Sequence, residues 1–392
     1  MGSRRNIAMI LPGPFPTRQG TQVLVRHLAT ALAEAGHAVH LVTYGYGEYE
    51  DNFPFMVHRA QRVDVGFRSG PSLLKPAADA ALLLTAGRVI KAYGCEVVHV
   101  HNVEGIGIGA MLKLQFGLPL IYHSHNSMGL ELPTYYKRGA VRAFAGLLGE
   151  VVDRTLPRAA DRVIVFDEAH AEQHARHGVA RDRSVVIPPG IAAGELAPSL
   201  KAPRSLGRRL LYAGNPDGYQ NLGLLYEALK RVRRLKPDVR LLIASHHPLE
   251  AFLPELKSHG VDRAIEHIDC QSLADIVRAH AMADIGVCPR SIWTGFPIKV
   301  LNYLAAGLPV VGCRGAVGSV VDTSNGVLAD PNPDAWATAI EHAFDRLRHW
   351  HDLGVGDAWR IENQVALYER LYREVLLAAT GGRSRQRSVD PV

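Results

Sequence analysis

The chain has 392 residues, 47% of them hydrophobic, 21% charged and 7% aromatic, which excludes a disordered or disulfide-built protein and, at roughly 150 residues per domain, suggests about two to three units, of which two are expected. Lys and Arg number 44 against 38 Asp and Glu, a net charge of +6 too diffuse to imply a nucleic-acid partner. Cys95, Cys270, Cys288 and Cys313 form no C-x-x-C pair and no zinc spacing, so they read as buried reduced thiols.

At the N-terminus, two arginines precede the run IAMIL, which Pro12 and Pro14 stop too early for a secretory leader. No run of 18 apolar residues occurs, and the expectation is a cytoplasmic protein. Short apolar runs then alternate with amphipathic stretches, the pattern of a parallel sheet covered by helices on both faces. Strands are predicted at 6–13, 37–44, 96–102, 119–126, 161–167 and 184–190, with helices at 22–36, 76–93, 106–116, 138–156 and 167–178. Thr21 is placed as the first helix's N-cap, Val25, Leu28, Ala29 and Leu32 share its apolar face, and Gly36 suits a left-handed C-cap. Residues 1–190 thus form a doubly wound domain.

An Ala, Gly, Pro and Ser-rich stretch, 191–208, reads as a linker. A second cycle follows, with strands at 209–215, 239–245, 264–270, 283–289 and 309–313 and helices at 220–235, 249–259, 272–281, 298–306 and 333–347. This predicts a second Rossmann-like domain over 209–356. Residues 357–378 are predicted as a closing amphipathic helix, and 379–392 as a disordered tail without a core-forming pattern. In tandem doubly wound domains, ligands are expected at a cleft shared by the carboxyl ends of the two sheets.

The first turn, GPFPTRQGTQ, lacks the G-x-G-x-x-G of a dinucleotide site. GIGIGA at 105–110 reads as close helix–sheet packing. The richest segment is 291–311, where Thr294-Gly295-Phe296-Pro297 opens a helix. Free N–H groups and the positive dipole end there suit a diphosphate. Lys299 lies in the first turn, where a cation is unfavourable unless an anion binds; a solvated lysine is the alternative. His99 and His101 alternate along one strand and share a face, while His246 and His247 are adjacent and face opposite ways. No metal site is expected. The stretch 136–158 carries Lys137, Arg138 and Arg142 with Phe144, Leu147 and Leu148, which suits either a membrane surface or ordinary packing on the sheet.

Several motifs together resemble the retaining glycosyltransferases of family four, which have the GT-B fold of two doubly wound Rossmann-like domains facing a central cleft. They are Gly20-Thr21, His125-Asn126, VIPPGI at 186–191, LLYAGN at 210–215, GFP at 295–297, AAGLPVV at 305–311 and LYERLYREVL at 367–376. Thr294 and Asn302 stand where the family usually has two glutamates, and Asn215 and Gln220 where it usually has an Arg and a Lys gripping the diphosphate. The resemblance implies a nucleoside-diphosphate sugar donor, most commonly UDP-linked, and a hydroxyl acceptor held by first-domain loops such as 44–72 and 126–138. It implies a donor site of Gly20, Thr21, Asn215, Gln220, Arg290, Thr294, Gly295, Phe296, Pro297, Ile298 and Asn302. Lys299, with Arg290, would replace the lost clamp charge, and Asn302 would bond ribose hydroxyls. His125 would position donor sugar and acceptor beside His101 and Asn126. The leaving phosphate would take the acceptor proton, so the configuration is retained without a cofactor or metal. The resemblance also implies a closing helix that crosses to the first domain and a peripheral membrane contact through helix 136–158. Two other readings stay open: a sugar-nucleotide epimerase or hydrolase of this fold, and a catalytically silent binding subunit.

Overall fold

The computed structural model describes residues 4–48, 52–67, 70–196, 208–293, 295–350 and 353–387. The chain falls into two compact units, Met1–Gly190 with Ile361–Val392, and Ile191–Arg360. Linker positions 197–207 and tail positions 388–392 lie outside the described residues.

The first unit is built on a seven-stranded sheet in the order β3-β2-β1-β4-β5-β6-β7. Its strands are β1 (Asn6–Leu11), β2 (Ala38–Thr43), β3 (Met56–Arg59), β4 (Val97–His101), β5 (Leu120–His123), β6 (Arg162–Val165) and β7 (Ser184–Val186). Every pairing is parallel. Central strands are apolar on both faces because both are covered. On one face Val25, Leu28 and Leu32 of the helix Gly20–Glu34 meet Ile361, Tyr368, Leu371 and Tyr372 of the helix Ile361–Arg387. On the other, Leu82 and Val89 of the helix Lys75–Tyr93 join Ile106 and Leu112 of the helix Asn102–Phe116. A Cβ at Gly109 would lie 2.6 Å from Leu120 and one at Gly105 3.3 Å from Val100, so these two glycines of GIGIGA let the helix sit close on the sheet. Chain order reverses between β1 and β4, which places a crevice at their carboxyl ends.

The second unit has a six-stranded parallel sheet, β10-β9-β8-β11-β12-β13. Its strands are β8 (Arg209–Ala213), β9 (Arg240–Ser245), β10 (Ile265–Asp269), β11 (Ile285–Cys288), β12 (Val310–Cys313) and β13 (Gly326–Ala329). Leu225, Leu229 and Val232 of the helix Leu222–Leu235 and Trp336 and Ile340 of the helix Pro333–Asp345 share its main core.

Several local expectations need correcting. The first helix starts at Gly20 after an extended Gln19, so Thr21 lies inside the first turn and does not cap it; Gly36 does take positive φ, +96°. The helix expected at 106–116 starts at Asn102, itself at φ +60°. Three glycines weaken the helical signal there, and packing overrides propensity. The closing helix begins at Ile361 and runs to Arg387, past the expected end at 378. Once nucleated, a helix propagates without a core, and GGRSRQR contains no proline to stop it.

The helix Gly139–Thr155 departs from ordinary packing. It buries Ala145, Gly149 and Asp153, while Val141, Phe144, Leu147, Leu148 and Val151 face outward, Phe144 at 66% and Leu147 at 64% exposure. A Cβ at Gly149 would sit 2.3 Å from the Met128 carbonyl oxygen, so small residues make the close contact. The apolar stripe is therefore not the packed face. Among the described residues no helix is long and apolar enough to cross a membrane.

Candidate functional site

In the second unit, the loop after β8 meets the start of the helix Ile298–Ala305. The chain leaves β8 through Gly214 at φ +146°, and a Cβ there would lie 2.9 Å from Lys299 Nζ. The missing side chain is what lets the lysine pass. Lys299 Nζ donates to Gln220 Oε1 at 2.9 Å, and Arg290 Nε donates to the same oxygen at 3.3 Å. Gln220 Nε2 donates in turn to Asn215 Oδ1 at 3.1 Å, and Asn215 Nδ2 to Asp217 Oδ2 at 2.6 Å. The Lys299 ammonium also lies 4.1 Å from the centre of the Tyr212 ring and the Arg290 guanidinium 4.7 Å from that of Tyr219, contacts that favour cations.

Arg290 is buried, and its second nitrogen donates to the Gly295 carbonyl at 3.0 Å. Among the described residues neither Arg290 nor Lys299 takes part in a salt bridge. Burial pushes the Lys299 ammonium down to about 7, with Arg290 acting the same way and Cys288 and Asp217 opposing it. Lys299 as a whole keeps partial surface, so the enclosed end of the side chain carries that shift. Two cations crowded onto one neutral oxygen are costly unless an anion joins them.

At the helix start, the Ile298 amide bonds Phe296 O and the Val300 amide bonds Pro297 O. The fully open amide array expected there is thus partly used. Phe296, Pro297 and Ile298 are buried, and the Phe296 ring lies tilted against that of Trp359, centroids 5.5 Å apart. Asn302, one turn on, is half-buried. Thr294 lies outside the described residues.

The first unit holds the remaining predicted positions. Gly20 is exposed and Thr21 half-buried at the start of their helix. His125 is buried, and its Nε2 pairs with His101 Nδ1 at 3.0 Å. Burial lowers the His125 pKa to about 3, and burial with neighbouring histidines pushes His101 well below its ordinary value. Both rings are therefore neutral at pH 7 and act as hydrogen-bonding groups rather than charges. The His101 ring has no exposed surface. Asn126 donates to Glu131, whose other oxygen accepts from the Tyr135 hydroxyl at 2.7 Å. A pocket beside His101 and His125 is walled by Leu24, Leu28, Phe166 and Tyr368.

Several residues at these places escaped the sequence reading. Tyr212 lies within the motif LLYAGN and Tyr219 precedes Gln220, but both are uncharged, so nothing marked their rings as supports for Lys299 and Arg290. Asp153, in mid-helix, accepts from Ser127 Oγ at 2.7 Å and from the Met128 and Gly129 amides at 3.0 Å, fixing the loop after His125. His123 and Tyr372 join the histidine cluster from other elements. His246 and His247 follow β9 in a bend, and their rings lie 4.2 Å apart rather than on opposite faces.

The Glycosyltransferase Family 4 model matches residues 18–195 and the Glycosyl transferases group 1 model matches 207–346. Over 366 residues the chain is 25% identical to the D-inositol 3-phosphate glycosyltransferase of Segniliparus rotundus, covering 87% of this chain and 81% of that one. Its fold is similar to that of sucrose-phosphate synthase from Thermosynechococcus elongatus, with TM-score 0.73 at 17% identity over 99% and 100% of the two chains. It is also similar to Anabaena HepE solved with UDP and glucose, with TM-score 0.64 at 15% identity over 97% and 99%. The two family models, one on each unit, together with these relatives support a family-four glycosyltransferase of GT-B fold.

Proposed function

We propose that this glycosyltransferase moves a sugar from a nucleoside diphosphate, UDP in the first instance, to a hydroxyl acceptor with retention of anomeric configuration. The observation that carries the donor assignment is the pair Lys299 and Arg290, two enclosed cations on Gln220 Oε1 without a carboxylate in salt-bridge contact. A diphosphate supplies the missing negative charge beside Gln220 and Asn215, the neutral side chains bonded to the pair. The bond from the anomeric carbon to the phosphate oxygen breaks as the acceptor oxygen attacks the same face, and the acceptor proton passes to the departing phosphate. No protein base or cofactor enters that step. Fixed cations lower the barrier because charge grows on the leaving group. Neutral His125 orients the sugar and acceptor, with Asn126 beside it.

A polyol or lipid-linked polyol acceptor is supported by the relative named for D-inositol 3-phosphate and by the outward stripe of the helix Gly139–Thr155. Exposed Lys137, Arg138 and Arg142 flank that stripe, so the enzyme works at the cytoplasmic face of an anionic membrane on a polyol or lipid-linked polyol. The test of the donor site is Lys299→Ala. Its kcat/KM with UDP-sugar should fall about 10²- to 10³-fold, as for the loss of one charge-stabilising donor, with a melting temperature within a few degrees of wild type. Unchanged kcat/KM would remove Lys299 from the donor site. Release of UDP without any acceptor would instead favour hydrolysis.

A further inference from the structure

We infer that the first unit binds one zinc-class divalent cation between the imidazoles of His99, His101 and His123. This goes beyond sugar transfer and does not depend on it. It also reverses the expectation of no metal site, which considered the histidines strand by strand and left His123 out.

Residues two apart on a strand share a face, so His99 and His101 of β4 project together, and β5 sets His123 directly beside His101 in the parallel register. One ring nitrogen from each of the three lies within 4.8 Å of the others. All three rings are buried, and His99 Nε2, His101 Nε2 and both nitrogens of His123 have no hydrogen-bond partner. Four unpartnered nitrogens on three clustered rings are unusual in a packed interior, where buried polar atoms are almost always satisfied.

The far side of the cluster is organised. His99 Nδ1 pairs with the Tyr372 hydroxyl at 2.8 Å and His101 Nδ1 with His125 Nε2 at 3.0 Å. With a proton on each of those Nδ1 atoms, both Nε2 atoms turn lone pairs inward, which is how metal-bound histidines are held by their outer partners. Burial and mutual repulsion lower the pKa of all three rings, so they are neutral at pH 7, the form that ligates without first losing a proton. Three imidazoles without a carboxylate suit zinc and its neighbours, whereas magnesium and calcium require oxygen. Zn–N bonds of about 2.0–2.1 Å imply nitrogens about 3.3 Å apart in a tetrahedron, so the rings close slightly on the ion. His101 and His123 also line the pocket walled by Leu24, Leu28, Phe166 and Tyr368, from which a water would complete the shell.

The test uses the full chain, tag removed and stripped with a chelator, then equilibrated with Zn²⁺ and analysed for bound metal. One equivalent per chain is expected. It should persist in the double variant His246→Ala with His247→Ala, which removes the other adjacent histidine pair, and be lost in His123→Gln. Because the His123 nitrogens bond nothing, that variant should fold, as circular dichroism and thermal unfolding would report. Tyr372→Phe should weaken zinc competition against a chromophoric chelator about 10- to 100-fold. Independently of every variant, Co²⁺ added to the stripped wild-type chain should give the strong visible bands of a four-coordinate nitrogen site. A stripped wild type that takes up no zinc, a folded His123→Gln that retains a full equivalent, or a cobalt spectrum like that of the aqueous ion would each overturn the assignment. None of these outcomes bears on the donor site, which Lys299→Ala tests by itself.

Discussion

Lys299 shows how one side chain takes its chemistry from its surroundings. On an exposed helix an ammonium titrates near 10.4; here burial, with Arg290 adding to it, brings it to about 7. A bound dianion favours the charged form, so nucleotide-sugar binding should take up a proton at neutral pH. Affinity should therefore be highest below about pH 7 and fall as the pH rises through 8 to 9. The two phosphates of a nucleotide sugar do not titrate in that range, so calorimetry in buffers of different ionisation enthalpy isolates the lysine. A flat affinity from pH 6 to 9 would contradict the shifted ammonium. The lysine was legible in the sequence because a cation at a helix start is electrostatically odd. Its partner Gln220 was legible only through the family motif, and the contacts of the Tyr212 and Tyr219 rings with the cations not at all.

At the level of elements, periodicity identifies a helix's apolar face but not what that face meets. The stripe Val141, Phe144, Leu147, Leu148 and Val151 has the spacing of a packed helix, yet it points to solvent because Ala145 and Gly149 make the close approach. Exposed apolar side chains framed by arginines suit insertion among anionic headgroups, each phosphate-facing cation adding about 1 kcal/mol. Replacing Phe144 and Leu147 together by Asp should leave thermal stability nearly unchanged, since neither side chain is buried. Co-sedimentation with phosphatidylglycerol vesicles should fall about tenfold or more, while activity on a water-soluble acceptor is kept. Vesicle binding equal to wild type would assign the stripe to another use. The closing helix teaches a related lesson, since its LYERLYREVL pattern announced a helix, but only the fold shows Tyr368, Leu371 and Tyr372 completing the core of the first unit.

For the molecule as a whole, the density of neutral histidines makes the first unit sensitive to acid. Burial holds His99 and His125 near 3 and His101, His123 and His170 well below their ordinary value. These folded-state values lie below the unfolded value of about 6.5, so the unfolded chain binds the extra protons. Stability is therefore complete above about pH 6.5 and declines as the pH falls from there toward 3, by up to about 1.4 kcal/mol per pH unit for each ring. Even two or three rings then remove several kcal/mol by pH 5, a large part of a domain's ordinary 5–15 kcal/mol. Urea midpoints of the metal-free chain should drop steeply between pH 6.5 and 5. A midpoint constant to pH 4.5 would show that the rings are hydrated and titrate normally.

Local patterns were enough for the alternation of strands and helices, the two sheets and the helix start that carries Lys299, because hydrophobic period, turn residues and a misplaced charge are properties of neighbours in the chain. β3, β13 and the short helix Met128–Glu131 were missed, being only four residues each and too short for a period to emerge. Contacts between distant residues needed the folded chain: His123 beside His101, Tyr372 on His99, and Gln220 beneath Lys299. Such pairings depend on strand register and helix docking, which arise when many side chains pack at once and which no short stretch of sequence encodes.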